Sequence, residues 1–337
     1  MKCYCLKFNS PFHVDTRGTG FYEQSDHYIQ SSTLSAAIVS SWAMLEPGDA
    51  KSWARKPDFL LSSAFPYYKK DNDTPYFFLP RPANSMANEL LDIEIYCQFK
   101  HIKKLNKIKW LEYRLWHDVV LNEKIEYDQV HIMSNIFACN QRDSENMPGR
   151  FWAEEEKPRL YTDRYTNQAI EGKIFHFGRI YFEKGCGLYF LARFNDDNAQ
   201  SKFEAALTLL GDSGIGSDRS SGNGFFTWET NETFVSELLN RKHQQTHVCL
   251  SLLNPCMQEQ CENECKEKDC QMDWVKDSRY QLLTNSGWIG TSGKQRKSLR
   301  MFSEGSCFPK KLNGRIVKIG KSREGYYVFR DGRGFFI

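Results

Sequence analysis

The chain has 337 residues, 40% of them hydrophobic and 14% aromatic, with a formal net charge of +3, a size that suggests about two domains with packed cores. No apolar run approaches the ~20 residues of a membrane-spanning helix. Met1–Phe8 alternates instead of forming the apolar stretch of a signal peptide. A reducing, cytoplasmic location is therefore expected, in which most of the eleven cysteines are free thiols or metal ligands.

Cys3 to Phe12 alternates apolar and polar residues and predicts a first strand. Ser31, Ser32 and Thr33 then offer N-cap hydroxyls. The helix after them places Leu34, Ala37, Ile38, Ser41, Trp42 and Leu45 on one face and ends at Pro47-Gly48. Residues 57–82, rich in aromatics and proline, read as short strands joined by turns. Lysines surround Trp110 and Trp116 in residues 98–120, where alternation from Ile108 predicts a strand. Residues 121–160 look irregular and carry Glu154-Glu155-Glu156, and Thr162 to Ala169 reads as a turn-rich connector. Phe175–Phe182 and Leu188–Arg193 predict a hairpin around Gly185-Cys186-Gly187. Ser201–Leu210 puts Phe203, Ala206, Leu207 and Leu210 on one helical face, with Gly211 as the C-terminal stop and a strand from Phe225. Strands are expected at 247–253, 278–290, 314–319 and 325–330. The sum is β-α-β-β-α-β with a long insertion, a ferredoxin-like order, followed by a second, mostly β module.

Residues 211–224 are the most informative stretch. Five glycines, four serines and Arg219 fall within fourteen residues. Glycine lets backbone N–H groups approach a ligand closely, and successive exposed N–H groups form anion-binding concavities. A P-loop requires lysine where Ser217 stands, and a dinucleotide fingerprint requires glycine where Arg219 stands. Both motifs also run from strand to helix, whereas this loop runs from helix to strand. That order suits an extended phosphodiester chain better than a mononucleotide; an ordinary surface loop has the same composition. Charge is distributed in keeping with a local polyanion surface, although solvated faces look the same: residues 291–337 hold twelve Lys/Arg against three acids, and residues 98–114 six against one.

Taken in order, Ser31–Ala37, Leu61–Pro66, Tyr76–Pro82, Thr162–Ala169, the glycine-rich loop, Gly287-Trp288-Ile289 and Arg300–Ser306 resemble the RAMP superfamily of CRISPR proteins. More narrowly, the set resembles the Csm-complex subunit that holds the 5′ handle of crRNA in type III-A effectors. The resemblance runs nearly end to end. It implies an α+β fold of two ferredoxin-like, RRM-type modules with a long inserted thumb-like segment. The first module would cover residues 1–235, with the insertion at about 60–170 and a thumb candidate within 121–160; the second would cover 236–337. It implies a non-catalytic, crRNA-binding antiviral subunit, in contact with a large polymerase-like signalling subunit on one side and a RAMP backbone subunit on the other. Carried onto this chain, RNA-binding candidates are Gly211, Gly214, Gly216, Arg219, Ser220, Ser221 and Gly222 of the loop, which would lie along the RNA backbone. Ser31, Ser32 and Thr33 are candidates as a helix N-terminus facing an anion. His13, Arg17, Arg164 and Asn167 complete the set. Each has a structural alternative, such as a helix cap for the serines or an acid partner for Arg164.

Cys256, Cys261, Cys265 and Cys270 depart from that family pattern. Their C-x4-C-x3-C-x4-C spacing could supply four thiolates to a structural Zn²⁺. It is looser than the usual C-x2-C knuckles, and free thiols in an acidic loop or an iron–sulfur cluster stay open. No catalytic constellation stands out. His117-Asp118 is a lone pair without the further ligands of a metal-dependent nuclease, and Asp15 and Asp26 suit turns. The enzyme alternative is a RAMP endoribonuclease that processes precursor crRNA with a histidine base. Such enzymes carry their glycine-rich loop near the C-terminus, whereas 113 residues follow Gly224 here.

Overall fold

The computed structural model describes residues 1–15, 22–71, 73–83, 91–92, 103–121, 125–163, 165–240, 246–255, 272–289, 294–323 and 325–337. The first elements are β1 (Lys2–Phe8), α1 (Ser31–Leu45), α2 (Ala50–Arg55), β2 (Phe59–Leu61), β3 (Phe65–Tyr68), β4 (Tyr76–Pro80), β5 (Leu91–Asp92) and β6 (Trp110–Glu112). There follow α3 (Tyr113–Val120), β7 (Ile125–Glu126), β8 (Val130–Met133), β9 (Phe137–Asn140), β10 (Trp152–Thr162), β11 (Ala169–Phe182) and β12 (Cys186–Phe194). After them come α4 (Asp197–Ser213), β13 (Phe226–Thr230) and α5 (Glu232–Leu239). The C-terminal part holds β14 (His247–Val248), β15 (Leu282–Asn285), β16 (Leu299–Phe302), β17 (Cys307–Phe308), β18 (Gly314–Lys321) and β19 (Tyr327–Arg333).

A nine-stranded sheet organises this mixed α+β fold, in the order β13-β1-β12-β3-β4-β6-β9-β8, with β2 also pairing β12. Neighbours are antiparallel except β6 and β9. Side chains alternate across a strand, and β1 and β12 use both faces. Tyr4 and Leu6 of β1 and Leu188, Phe190 and Ala192 of β12 enter one core with Leu34 and Ile38 of α1 and Phe203, Ala206 and Leu207 of α4. Cys3, Cys5, Tyr189 and Leu191 enter the opposite core. That second core also takes Val248, Leu250, Phe335 and Ile337, so the C-terminal part closes the sheet's other face. Burial on both faces explains the unbroken apolar run of β12, which no polar-out alternation marks.

The expected face of α4 is buried; that of α1 is buried at Leu34, Ile38 and Ser41, half-buried at Ala37 and Trp42, and exposed at Leu45, where the helix runs out past the core. Asp196 caps α4 by accepting from the Ala199 N–H at 2.7 Å. The stop differs from expectation. Gly211 lies within the helix, where glycine is needed because a side chain would meet the Phe226 carbonyl oxygen at 2.5 Å, and the helix ends at Gly214, whose φ is +81°. The strand expected from Ile108 is three residues long and then becomes α3, whose first N–H groups are capped by the Glu112 carboxylate. Leu115, Trp116, Val119 and Val120 form its buried side. Burial pushes the Glu112 carboxyl up to about 7, against the charge of and hydrogen bond from Arg114.

The expected hairpin of β11 with β12 does not form. β12 is claimed by β1, β2 and β3, and β11 pairs with β10, from Trp152↔Phe182 out to Thr162↔Ala169. The reason is that both edges of β12 are already taken. β11 continues well past the sheet and finds its partner in the stretch that looks irregular in the sequence. The result is a long two-stranded ribbon whose outer end is open to solvent, with Tyr165 99% exposed at the tip. In the C-terminal part the strands pair as ribbons, β14–β17, β15–β16 and β18–β19, over a small core of Leu253, Trp274, Phe302, Phe308 and Phe336.

Phe203 is fully buried between Tyr4, Phe59 and Phe194. Phe203→Ala should lower stability by about 3–5 kcal/mol, as for other large-to-small core changes. A shift of the urea midpoint with unchanged slope checks this.

Candidate nucleic-acid interface

Between α4 and β13 the chain turns through Gly214, Gly216, Asp218, Gly222 and Gly224, all at positive φ. Three of these glycines are dictated by close backbone approach, Gly214 because a side chain there would meet the Asn223 carbonyl oxygen at 2.4 Å. A side chain at Gly216 would meet the His13 carbonyl oxygen at 2.3 Å, and one at Gly224 the Ile215 carbonyl oxygen at 2.0 Å. The loop is fixed rather than free. Ser217 N–H donates to the His13 carbonyl (2.9 Å), Gly224 N–H to Pro11 (2.8 Å), and Ile215 N–H to Gly224 (3.0 Å). Ile215 anchors it in the core. Its crown, Arg219–Ser221, is a single 3₁₀ turn with all three residues exposed.

The ribbon grips this loop. Arg159 of β10 donates to Asp218 through both terminal nitrogens, Nη1 to Oδ1 at 2.8 Å and Nη2 to Oδ2. Arg179 of β11 places Nη2 3.5 Å from Oδ2, and the Asn223 amide donates to Oδ2 at 2.7 Å. Burial raises the Asp218 carboxyl, but the bonds from Arg159 and Ser221 and the two arginine charges outweigh it and hold the group below its ordinary value. Both guanidiniums lie over the Phe177 ring, at 4.9 and 5.9 Å from its centre, and the His13 ring packs on the same phenyl at 4.5 Å.

His13 is fully buried, with Nδ1 2.7 Å from the Gly178 carbonyl. A carbonyl only accepts, so the neutral ring carries its proton on Nδ1. Nε2 is then an acceptor, and among the described residues it has no partner. Burial lowers the His13 pKa, overriding the Gly178 bond and the charges of Asp15, Asp26 and Asp218, which all raise it.

The sequence candidates do not all come together. Gly214, Gly216, Arg219, Ser220, Ser221 and Gly222 share the loop, and His13 lies beneath it, under the backbone of Ser217. Gly211 is buried in α4 against β13. Ser31 and Ser32 are buried at a junction with the C-terminal part. The Ser31 N–H donates to Ser63 Oγ (2.8 Å), Ser31 Oγ accepts from the Leu252 N–H (2.9 Å), and Arg330 donates to the Ser32 carbonyl (2.9 Å). Thr33, half-buried, donates its N–H to the Gln30 carbonyl. This helix N-terminus therefore turns its polar groups into the protein, where the Ser32 hydroxyl has no partner among the described residues. Beside it Ser63 donates to the half-buried Glu304 carboxylate, whose pKa desolvation raises. Asn167 sits at the ribbon tip in a turn closed on Asp163. Arg17, Arg164, Cys256, Cys261, Cys265 and Cys270 lie outside the described residues. Among the described residues no group of three or more His, Cys, Asp or Glu is placed to hold a metal ion. Arg159, Arg179 and Asp218 are absent from the sequence candidates: Asp218 lies in the glycine-rich stretch and Arg179 in an expected strand, but Arg159 falls where the sequence looks irregular, and nothing local pairs the three.

The basic C-terminal stripe divides as well. Arg296, Arg315, Arg330 and Arg333 donate to groups inside the fold. Lys318 lies over the Tyr327 ring at 3.0 Å, and Lys51 over Tyr326 at 4.6 Å. These side chains edge a cleft of about 1650 Å³ between α1–α2 and the β18–β19 ribbon.

Comparison with known proteins bears on this arrangement. Residues 242–337 match the CRISPR Csm4 C-terminal domain family. The chain is 24% identical over 249 residues to a Csm4 protein of a CRISPR system in Methanocaldococcus jannaschii, a match covering 65% of this chain and 63% of that relative. It is 25% identical over 276 residues to a Csm4 protein from Thermococcus onnurineus, covering 79% and 76%. Its fold is similar to a chain in a Csm3–Csm4 subcomplex of a type III-A interference complex, with a TM-score of 0.63 at 17% identity over 100% of this chain and 98% of the other. It is also similar to a chain of a Csm1–Csm4 cassette bound to pppApA, with a TM-score of 0.59 at 16% identity over 100% and 96%. Among the described residues no helix is long and apolar enough to cross a membrane.

The buried His13 makes a pH prediction. In the unfolded chain its ring protonates near about 6.5, whereas the folded ring resists until a lower pH. Below about pH 6.5 the unfolded state binds more protons, so stability falls as pH drops. His13→Asn keeps an N–H toward Gly178 and removes the titration. Between about pH 7.5 and about pH 5.5, the melting temperature of the wild type should fall further than that of the variant. Parallel curves would contradict this.

Proposed function

We propose that the chain is a Csm4 subunit, its residues 242–337 matching that family's C-terminal domain, and that it holds the repeat-derived 5′ handle of crRNA in a type III-A effector. The observation that carries the reading is the exposed turn Arg219–Ser221, held on a loop whose glycines and bonds to Pro11 and His13 fix its course. One cation and two hydroxyls, presented by a loop of fixed shape, suit phosphates and 2′-hydroxyls of a single strand. The β10–β11 ribbon, with Leu160, Tyr161, Tyr165 and Ile174 exposed, is the thumb in this reading. It reaches past the expected 121–160 to Phe182. The order β13-β1-β12-β2 with α1 and α4 on one face supports a ferredoxin-like first module; a second such module at 236–337 is part of the same proposal.

The assemblies named for the similar structures, Csm3–Csm4 and Csm1–Csm4, support the expected partners: a backbone RAMP subunit and the large polymerase-like subunit, in the cytoplasm. The role is structural and non-catalytic. In the rival reading, the processing endoribonuclease, a histidine would be the base. His13, the histidine beneath the loop, is fully buried with Nδ1 committed to Gly178, which favours the structural role.

Affinity purification of the tagged chain from its host, with sequencing of bound RNA and identification of bound proteins, tests the reading. Small RNAs sharing one repeat-derived 5′ end, together with the two partner subunits, are expected. Cleavage of repeat RNA by the chain alone would establish the rival, and RNA of mixed sequence without partners would reduce the role to general RNA binding. Arg219→Ala should weaken handle binding by about 1–2 kcal/mol and lower the salt slope by about one. Unchanged affinity in a titration would remove Arg219 from the site.

A further inference from the structure

Asp218 is held by more positive charge than it carries. Arg159 grips both carboxylate oxygens and Arg179 approaches one of them, so two guanidiniums share a single anion. Arg179 retains a buried Nε that, among the described residues, has no acceptor. Its side chain is only 11% exposed, and a buried charged donor left unpaired is unfavourable. Asp218 also stands in the left-handed region, φ 61° and ψ 31°, a strained place for a residue other than glycine. The next residues in the chain are the exposed turn Arg219–Ser221. A carboxylate and a phosphodiester present the same thing to a guanidinium fork, a pair of anionic oxygens. A phosphate has acceptor capacity to spare for the Arg179 Nε.

We propose that Arg159 and Arg179 form a phosphodiester subsite, and that Asp218 occupies it as an internal stand-in until a phosphate of the bound RNA displaces it. The inference rests on the RNA-binding reading given above. The phosphate takes over the two arginines, and the Arg219–Ser221 turn moves with Asp218. Occupancy by Asp218 lowers apparent affinity, because only the fraction of molecules with the subsite open is competent to bind. Were Asp218 merely a strut between loop and ribbon, removing its charge would weaken RNA binding by loosening the loop.

Asp218→Asn separates the two. Asparagine tolerates the left-handed backbone and still accepts a hydrogen bond, but carries no charge. Asp218→Gly keeps the backbone conformation without any side chain and covers the case in which the asparagine variant fails to fold. The full-length chain is titrated with synthetic 5′-handle RNA at two salt concentrations. Both variants should bind roughly 3–10-fold tighter than wild type with a steeper salt slope, since one competing anion is gone. Arg159→Ala should bind more weakly than wild type and should abolish the gain when combined with Asp218→Asn. Tight handle binding by wild type, with equal or weaker binding by both Asp218 variants, would overturn the stand-in and leave the RNA-binding reading intact. Failure of the wild type to prefer handle RNA over a scrambled strand would overturn both.

Discussion

The Asp218 carboxylate is where three distant pieces of the chain meet. Arg159 and Arg179 bring the ribbon, the loop brings Asp218 and Asn223, and the backbone of the segment after β1 carries the loop on the other side. An exposed ion pair contributes little to stability. This one is different in kind, because the carboxylate is largely enclosed and gripped in two-pronged fashion. It converts a run of glycines, which alone would be costly to order, into a surface of defined shape. The Arg219–Ser221 turn follows directly on this contact in the chain.

Around that contact the fold divides its polar chemistry. The end of the sheet that holds the loop exposes cations and hydroxyls. At the N-terminus of α1 the same kinds of group are consumed internally. Ser31 and Ser63 bond to the C-terminal part, the Gln30 amide oxygen accepts from Asn285 at 2.9 Å, and the half-buried Glu304 accepts from Ser63. Buried polar groups of this sort are tolerable only when matched with partners, and here they fix how the two parts of the chain dock. A core that draws on Cys3, Phe65, Leu250 and Phe335 together makes that docking part of the fold itself.

Much of this was legible in the sequence where local rules act. The faces of α1 and α4 follow from helical spacing, and the loop announces itself by its glycines. Legibility fails where a long-range partner decides. The pairing of β11 with β10, the helix at α3 and the need for glycine at Gly211 each depend on what lies across the fold: the crowded flanks of β12, the buried floor beneath Trp116, the carbonyl of Phe226. Ser31 and Ser32 look like free cap hydroxyls until the C-terminal part covers them. Arg159 falls in a stretch that looks irregular and Arg179 in an expected strand, and only the ribbon's register brings both to Asp218.

The measurement that bears most directly on this account is photo-crosslinking from the nucleotides of the 5′ handle in the assembled complex, with the attached peptides mapped by mass spectrometry. The account predicts adducts on the loop between Gly214 and Gly224 and on the ribbon near Arg159 and Arg179. Adducts confined to the β18–β19 ribbon and the cleft beside Tyr326 and Tyr327, with the loop unlabelled, would contradict it.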